Sequence, residues 1–217
     1  MTTAPELYLI IEIDGSDATA ASARLTAAMA AAEVASVLLR PSPSKVLDAG
    51  IAKTLTALAQ KRGIAVLIES DAALARMIKA DGVHLPWSKD PIKAYREARE
   101  MLGGHAMIGA DAGRSRDDAM ELGEQGADYI AFGIPAHVED RATAEARQSD
   151  LVAWWSEIFE VPCVAFDVAS PEQASALAAA SADFITVAVP ATMSPDVAAA
   201  HIASFAAATT TIAEAAV

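Results

Sequence analysis

Residues 64–85 read Ile-Ala-Val-Leu-Ile-Glu-Ser-Asp-Ala-Ala-Leu-Ala-Arg-Met-Ile-Lys-Ala-Asp-Gly-Val-His-Leu, and this stretch contains one complete repeat of the fold. Ile64–Ile68 and Gly82–Leu85 are short apolar runs of the kind found in parallel strands that are covered on both faces. The segment between them, Asp71–Ala80, repeats its apolar residues at helical spacing. The stretch therefore predicts a strand, a helix and a second strand parallel to the first.

The same alternation of apolar runs and helical segments continues along the chain. Further strands are predicted at Leu7–Ile13, Ala35–Leu39, Ala106–Gly109, Asp128–Phe132, Val161–Phe166 and Phe184–Val189. Further helices are predicted at Ala18–Ala32, Ser44–Arg62, Pro91–Leu102, Ser115–Gln125, Ser149–Phe159, Ser170–Ala180 and Ser194–Ala208. Eight strand–helix units in 217 residues predict an α/β protein with the (β/α)₈ TIM-barrel fold.

A doubly wound open sheet is the main alternative architecture. Such a sheet would carry a glycine-rich turn after its first strand, whereas the turn here is Asp14-Gly-Ser-Asp17. No linker or change in composition divides the chain, so residues 1–217 are expected to form a single barrel domain. The alanine- and threonine-rich tract from about residue 206 to residue 217 is expected to be the low-complexity tail of the last helix.

The chain is strongly acidic. It has 16 Lys and Arg residues against 29 Asp and Glu residues, which gives a formal net charge of −13. This balance argues against binding to nucleic acid or to an anionic membrane, because both need a basic surface. No apolar run has the length of a membrane-spanning helix and the N-terminus lacks a signal-peptide pattern, so a cytoplasmic protein is expected.

Polar residues that follow the strands are the candidates for a functional site, because barrels place their active sites there. Arg40 could hold a phosphate through a bidentate contact, or could pair with an acid of a neighbouring loop. Asp71 and Asp90 could share Mg²⁺, although each also stands where a helix-capping residue belongs. His84 lies inside a short apolar strand, which favours a histidine satisfied within the barrel over a catalytic base.

Two motifs point to a known family, namely Ala80-Asp-Gly-Val-His-Leu85 and Gly126-Ala-Asp-Tyr-Ile-Ala-Phe-Gly133. Together with Arg40, Ser70-Asp71 and Ile108-Gly109, they give the chain a resemblance to the thiamine phosphate synthase and thiazole tautomerase family. This family folds as a (β/α)₈ barrel. Its synthases join a hydroxymethylpyrimidine pyrophosphate to a thiazole phosphate and release pyrophosphate with the help of Mg²⁺.

The resemblance implies a small-molecule substrate, Mg²⁺ as a cofactor and a possible homodimer. It also suggests a role for each strand-end candidate, including those that differ from the family residue at their position. These roles are catalysis for Asp111 and His137; phosphate binding for Arg40 and Arg141; substrate binding for Asp71, His84 and Asp167; and Mg²⁺ binding for Asp71 and Asp90.

The chain also departs from the family pattern, in ways that predict a degenerate phosphate site. The family turn Ala-Ile-Gly-Gly-Ile is here Ala165-Phe-Asp-Val-Ala169, and the family serine after the fifth strand is Asp111. An Asp in place of a Gly adds negative charge and blocks the close approach of a phosphate to the backbone.

Three functions stay open on this sequence. The first is a thiamine phosphate synthase with an altered site. The second is a diverged enzyme that acts on another small heterocycle, in which His137 or Asp111 moves a proton as in a tautomerase. The third is a barrel without catalysis that binds a ligand or a partner protein.

Overall fold

The computed structural model describes residues 4–15, 17–135 and 138–215. Within these ranges eight strands alternate with eight helices. The elements are β1 (Glu6–Ile13), α1 (Ala18–Ala31), β2 (Ser36–Pro41), α2 (Ala49–Gln60), β3 (Ala65–Glu69), α3 (Ala72–Ile78), β4 (Gly82–Leu85), α4 (Pro91–Leu102), β5 (Met107–Asp111), α5 (Arg116–Glu124), β6 (Tyr129–Phe132), α6 (Arg141–Ile158), β7 (Cys163–Ala165), α7 (Pro171–Ala179), β8 (Phe184–Val189) and α8 (Pro195–Ala215).

The strands close into one barrel in the order β1 to β8, and β8 pairs with β1. All eight strand pairs among the described residues are parallel. The predicted single-domain (β/α)₈ barrel is therefore confirmed. Parallel pairing brings the carboxyl ends of all eight strands to one rim, which is the rim where barrels carry their active sites.

The apolar residues form two layers, one inside the barrel and one between the strands and the helices. Strand residues alternate between the layers, so that Tyr8 and Ile10 belong to the interior while Leu9 and Ile11 face the helices. Because both faces of each strand are buried, the strands read as continuous apolar runs in the sequence.

Two helices begin more than one residue away from the start that the sequence predicted. Helix α2 begins at Ala49 rather than Ser44, because Oδ1 of Asp48 accepts a hydrogen bond from the Ile51 N–H at 2.9 Å and caps the helix there. Helix α6 begins well before the predicted Ser149. Its first residue is Arg141.

The early start of α6 has a local cause. Oδ1 of Asp140 accepts a hydrogen bond from the Thr143 N–H at 3.1 Å and so caps the helix. The first two turns of α6 bury only Ala144 and Gln148, and they therefore lack the apolar periodicity by which a helix is recognised in a sequence.

Helix α8 is longer than predicted and continues through the alanine- and threonine-rich tract to Ala215. No helix in the described part of the chain is both long enough and apolar enough to cross a membrane.

Candidate active site

The carboxyl-terminal rim of the barrel, called the barrel mouth below, carries an unusual set of charged side chains. Arg40 lies near the end of β2, Glu69 ends β3, Asp111 ends β5, and Asp167 follows β7. Three of these four side chains are carboxylates, and they are brought together from strands that are far apart in the sequence.

The single cation among these four residues is already paired. Nε of Arg40 lies 2.6 Å from Oε1 of Glu69, and the two side chains are 22% and 16% exposed. The Arg40 guanidinium also lies over the ring of Phe166, 5.5 Å from its centre. Of the two possibilities that the sequence left open for Arg40, the structure contains the ion pair, and its acid belongs to a strand rather than to a loop. Only Nε of Arg40 takes part in this ion pair, so an anion at this position would meet a guanidinium whose charge Glu69 already partly neutralises.

Asp111 is buried and is held by the backbone of two loops. Its Oδ1 accepts hydrogen bonds from the N–H of Gly113 at 2.7 Å and from the N–H of Gly133 at 3.1 Å. Burial raises the pKa of Asp111 to about 7, and the nearby Asp167 carboxylate adds to the increase, while the two N–H donors and Arg40 oppose it. Asp111 can therefore gain or lose a proton near neutral pH.

Asp167 faces Asp111 across the end of β6. Burial raises the pKa of Asp167 as well, and Arg40 and Arg141 oppose the increase. A Cβ atom built on Gly133 would lie 2.5 Å from Oδ2 of Asp111 and 2.9 Å from Oδ2 of Asp167. The two carboxylate oxygens therefore converge on one point, which is free only because residue 133 is a glycine. We refer to Asp111 and Asp167 as the carboxylate pair.

A chain of polar side chains lies in the barrel interior. The hydroxyl of Tyr129 lies 3.0 Å from the hydroxyl of Tyr8 and 2.9 Å from Nδ1 of His84. The His84 ring stacks on Phe166, with the ring centres 4.3 Å apart. Burial, with a contribution from Arg40, lowers the pKa of His84 to about 3, so this imidazole is neutral at neutral pH.

The interior position of His84 bears on the prediction that it contacts a substrate. The residue is fully buried, and one ring nitrogen is bonded to Tyr129. Its other ring nitrogen, Nε2, is buried without a hydrogen-bond partner among the described residues, so the ring is only partly satisfied within the barrel. The predicted contact of His84 with a substrate stays a prediction.

Asp71 and Asp90, the predicted Mg²⁺ ligands, are the capping residues of α3 and α4. Oδ1 of Asp71 accepts from the Leu74 N–H at 2.8 Å, and Oδ1 of Asp90 accepts from the Lys93 N–H at 3.1 Å. In both residues Oδ2 accepts no hydrogen bond from any described residue. Two carboxylates completed by substrate phosphate oxygens and water suit Mg²⁺, but these two line different surface grooves. Their joint metal site stays a prediction.

The two remaining candidates stand as follows. Nη1 of Arg141 donates to the Ile134 carbonyl at 3.4 Å, which places this second cation near Asp167 at the barrel mouth. His137 lies outside the described residues, so its catalytic role stays a prediction.

Sequence reasoning missed several residues of this region. Glu69 could have been found, because it stands two residues after the inward-facing Leu67 in the same strand. In the sequence, Tyr8 and Tyr129 cannot be distinguished from the apolar residues of their strands, so their hydrogen-bonded hydroxyls were not predicted. Nothing in the local sequence distinguishes Gln148, a buried polar residue of α6 behind the barrel mouth.

Comparison with known protein families finds one that matches most of the chain. The family described as thiamine monophosphate synthase matches residues 7–190. A thiamine-phosphate synthase of Hyphomonas neptunium is 37% identical over 186 residues, which are 83% of this chain and 83% of that protein. One of Rhodospirillum centenum is 36% identical over 83% of this chain and 86% of that protein. One of Erythrobacter litoralis is 42% identical, over 64% of this chain and 65% of that protein.

Solved structures share the architecture at lower identity. Thiamine phosphate pyrophosphorylase from Pyrococcus furiosus superposes with a TM-score of 0.72 at 20% identity, covering 95% of this chain and 96% of that chain. Tryptophan synthase of Mycobacterium tuberculosis superposes equally well, with a TM-score of 0.73 at 14% identity, covering 95% of this chain and 93% of that chain. Similarity at this level shows the barrel fold alone, because the fold carries many unrelated chemistries.

Proposed function

The chain belongs to the thiamine monophosphate synthase family, and from this premise we propose that it is a diverged enzyme that moves a proton on a small heterocycle carrying no phosphate. One observation carries the proposal. The carboxylate pair converges above Gly133, while the charge of Arg40 is partly neutralised by an ion pair between its Nε and Glu69 at 2.6 Å. Family synthases need the opposite arrangement, in which free cations and backbone N–H groups receive a phosphate and a pyrophosphate.

The charges at the barrel mouth support this choice of substrate. Three carboxyl groups, Glu69, Asp111 and Asp167, face two cations, Arg40 and Arg141, so the mouth holds no excess of positive charge even when the carboxylate pair keeps one proton. An anion about 4 Å from an ionised carboxylate near a protein surface is repelled by about 4 kcal/mol before salt screening. A neutral or cationic heterocycle avoids this cost, and its ring N–H groups can donate hydrogen bonds to the carboxylates.

The carboxylate pair also supplies a route for the proton. Two carboxyl groups that share a site hold one proton between them over a wide pH range. The ionised member can accept a proton from one atom of a bound heterocycle while the protonated member donates its proton to a second atom. The heterocycle leaves as its tautomer, and no net charge is created. Proton exchange with water then restores the pair.

Calorimetric titration with the two family precursors tests the proposed substrate class. Each precursor is offered with and without its phosphate groups, so that only the phosphate differs within each pair. We expect the phosphate-free forms to bind at least about tenfold more tightly, a difference of about 1.4 kcal/mol. Tighter binding of the phosphorylated forms would contradict the proposal. Deuterium uptake from D₂O at a ring carbon or its attached carbon, followed by NMR, then separates a proton-transfer enzyme from a barrel that only binds.

A second candidate is the synthase reaction itself, which the names of the relatives favour. Asp71 and Asp90 would then hold Mg²⁺ through their unused oxygens, and the metal would neutralise the departing pyrophosphate. The test is a turnover assay with both phosphorylated precursors and Mg²⁺, with Arg40→Ala as the control variant. Product that depends on Arg40 would establish the synthase reaction and overturn the first proposal. No product at high enzyme concentration would exclude the synthase reaction.

A further inference from the structure

Two glutamines form a buried hydrogen-bond network on the helix side of the barrel mouth. Gln148 lies in α6 and Gln173 in α7, and they are only 2% and 8% exposed. Burying a polar amide without partners costs free energy, so buried glutamines are found where hydrogen bonds satisfy them. The proposed proton transfer does not use either side chain, and their partners indicate what they do.

Gln148 donates hydrogen bonds to the backbone carbonyls of the two residues that directly precede Gly133 and Asp167. Its Nε2 donates to the Phe132 carbonyl at 2.6 Å and to the Phe166 carbonyl at 2.6 Å. Phe132 directly precedes Gly133, whose N–H donates to Asp111. Phe166 directly precedes Asp167. One side chain thus ties together the ends of β6 and β7, which position the two members of the carboxylate pair.

Gln173 extends the network to the other side of Asp167. Its Nε2 donates to Oε1 of Gln148 at 2.8 Å, and its Oε1 accepts from the Ala169 N–H at 2.8 Å. The turn that carries Asp167 is therefore held at the carbonyl before it and at the N–H two residues after it.

The backbone at Asp167 needs such support. Its φ is +56°, in the left-handed region that residues other than glycine enter at a cost. Conformations of this kind persist where the surroundings fix the backbone on both sides, and they concentrate at functional sites. The two glutamines provide this fixation from α6 and α7.

We infer that Gln148 and Gln173 are positioning residues that hold the ends of β6 and β7 and thereby fix the geometry of the carboxylate pair. The inference rests on the proposed function for its biological meaning, but its geometric content can be tested without any ligand. When the network is broken, Gly133 and Asp167 shift, and the hydrogen bond from the Gly133 N–H to Asp111 weakens. Because that bond favours the ionised form of Asp111 while the nearby Asp167 carboxylate favours the protonated form, displacement of either group changes the titration midpoint of Asp111.

The experiment uses the whole chain and the near-isosteric variants Gln148→Met and Gln173→Met. The matched control is Gln60→Met, whose amide makes two hydrogen bonds of 3.0 Å at the opposite end of the barrel, to the Lys79 carbonyl and the Asp81 carboxylate. Carboxyl ¹³C NMR then follows the midpoint of Asp111 in the ligand-free protein. If Gln148→Met does not fold, Gln173→Met still tests the inference, because it removes only the links to Gln148 and Ala169.

We expect the Asp111 midpoint to change by about 0.5 or more in Gln148→Met and Gln173→Met and to stay unchanged in Gln60→Met. A midpoint that stays unchanged in the variants, while their unfolding free energy falls, would overturn the inference and leave the glutamines a purely structural role.

Calorimetry with the phosphate-free pyrimidine gives the second readout. We expect the affinity to fall several-fold in Gln148→Met and Gln173→Met but not in Gln60→Met. If the wild-type protein binds no phosphate-free precursor, the proposed function fails, whereas the NMR midpoints still decide whether the glutamines position the pair.

Discussion

Asp111 occupies the position at which the family has a serine, and here it is a buried carboxyl group whose pKa is raised to about 7. A carboxyl with a folded-state pKa above its unfolded value stabilises the protein at low pH, and this contribution is lost as the pH rises through the folded pKa. Above neutral pH the folded protein therefore carries the cost of an ionised, buried Asp111. This cost is evidence that the residue serves something other than stability.

The variant Asp111→Asn should reveal that cost. Asparagine can still accept the two backbone hydrogen bonds but cannot ionise. We expect the variant to be more stable than the wild type by on the order of 2–4 kcal/mol at pH 8, with the difference disappearing near pH 4. Urea unfolding at the two pH values measures this, with the exposed Asp150→Asn as control. A variant that is less stable than the wild type at pH 8 would contradict the raised pKa.

The interior hydroxyl of Tyr129 gives a second prediction at the residue scale. Tyr129→Phe removes the shared partner of Tyr8 and His84, and leaves two buried polar groups without a hydrogen bond. We expect a loss of about 2 kcal/mol or more. Tyr95→Phe is the control, because the Tyr95 hydroxyl only accepts a bond of 3.1 Å from the partly exposed Arg99. Equal losses of stability in the two variants would show that the hydrogen bonds of Tyr129 in the barrel interior contribute no more than the bond between Tyr95 and Arg99.

At the scale of elements, helix α6 shows which helix starts the local sequence can predict and which it cannot. The predicted start at Ser149 came from apolar periodicity, which the first turns of α6 lack, whereas the structure begins the helix at Arg141 behind the cap Asp140. Helices with a regular apolar face and a proline at the first position, such as α4 and α7, were placed closely by the sequence. Capping alone was too weak a signal at α6.

Two single substitutions test this start. Asp140→Ala should destabilise the protein measurably, because it leaves the Thr143 N–H without its acceptor. Ser149→Ala should cost nothing or stabilise slightly, because alanine is the better residue inside a helix. Thermal or urea unfolding compares the two variants directly. If Ser149→Ala were the more destabilising, α6 would begin where the sequence predicted.

The turn between β7 and α7 gives another prediction at this scale. Asp167→Gly removes a carboxylate from the barrel mouth and places a glycine where φ is +56°. We expect the affinity for inorganic pyrophosphate to rise at least about tenfold, equivalent to about 1.4 kcal/mol. Calorimetry measures the change, and Asp183→Asn, a change at the amino-terminal end of the barrel, is the control. An unchanged affinity would mean that Asp167 does not exclude anions.

For the whole molecule, the barrel could be predicted in full because each of its eight units repeats the same apolar pattern, and parallel strands with helical crossovers leave few topologies. The strand-end candidates Arg40, Asp111 and Asp167 could be predicted with it, since the fold fixes the rim on which they lie. Strand alternation could also have placed Glu69 at the rim, but neither its ion pair with Arg40 nor the role of Gln148 could be predicted. Both depend on contacts between distant strands and helices, which no local pattern reports. The homodimer stays a prediction.

Three of the 29 acidic residues lie at the barrel mouth, together with two of the 16 basic ones, so most of the net charge of −13 lies elsewhere in the molecule. In this account the family's anion site has become a site for uncharged or cationic ring compounds through two replacements, Asp111 for a serine and Asp167 for a glycine. The double variant Asp111→Ser/Asp167→Gly restores the family residues at both positions and leaves Arg40 and Arg141 in place.

The most direct test is therefore the ratio of two affinities, measured by calorimetry in the wild type and in this double variant. The ligands are the pyrimidine precursor with and without its pyrophosphate group. We expect the wild type to prefer the phosphate-free form and the double variant to prefer the pyrophosphate. A wild-type protein that already prefers the pyrophosphate, with a ratio that the double variant leaves unchanged, would contradict the account.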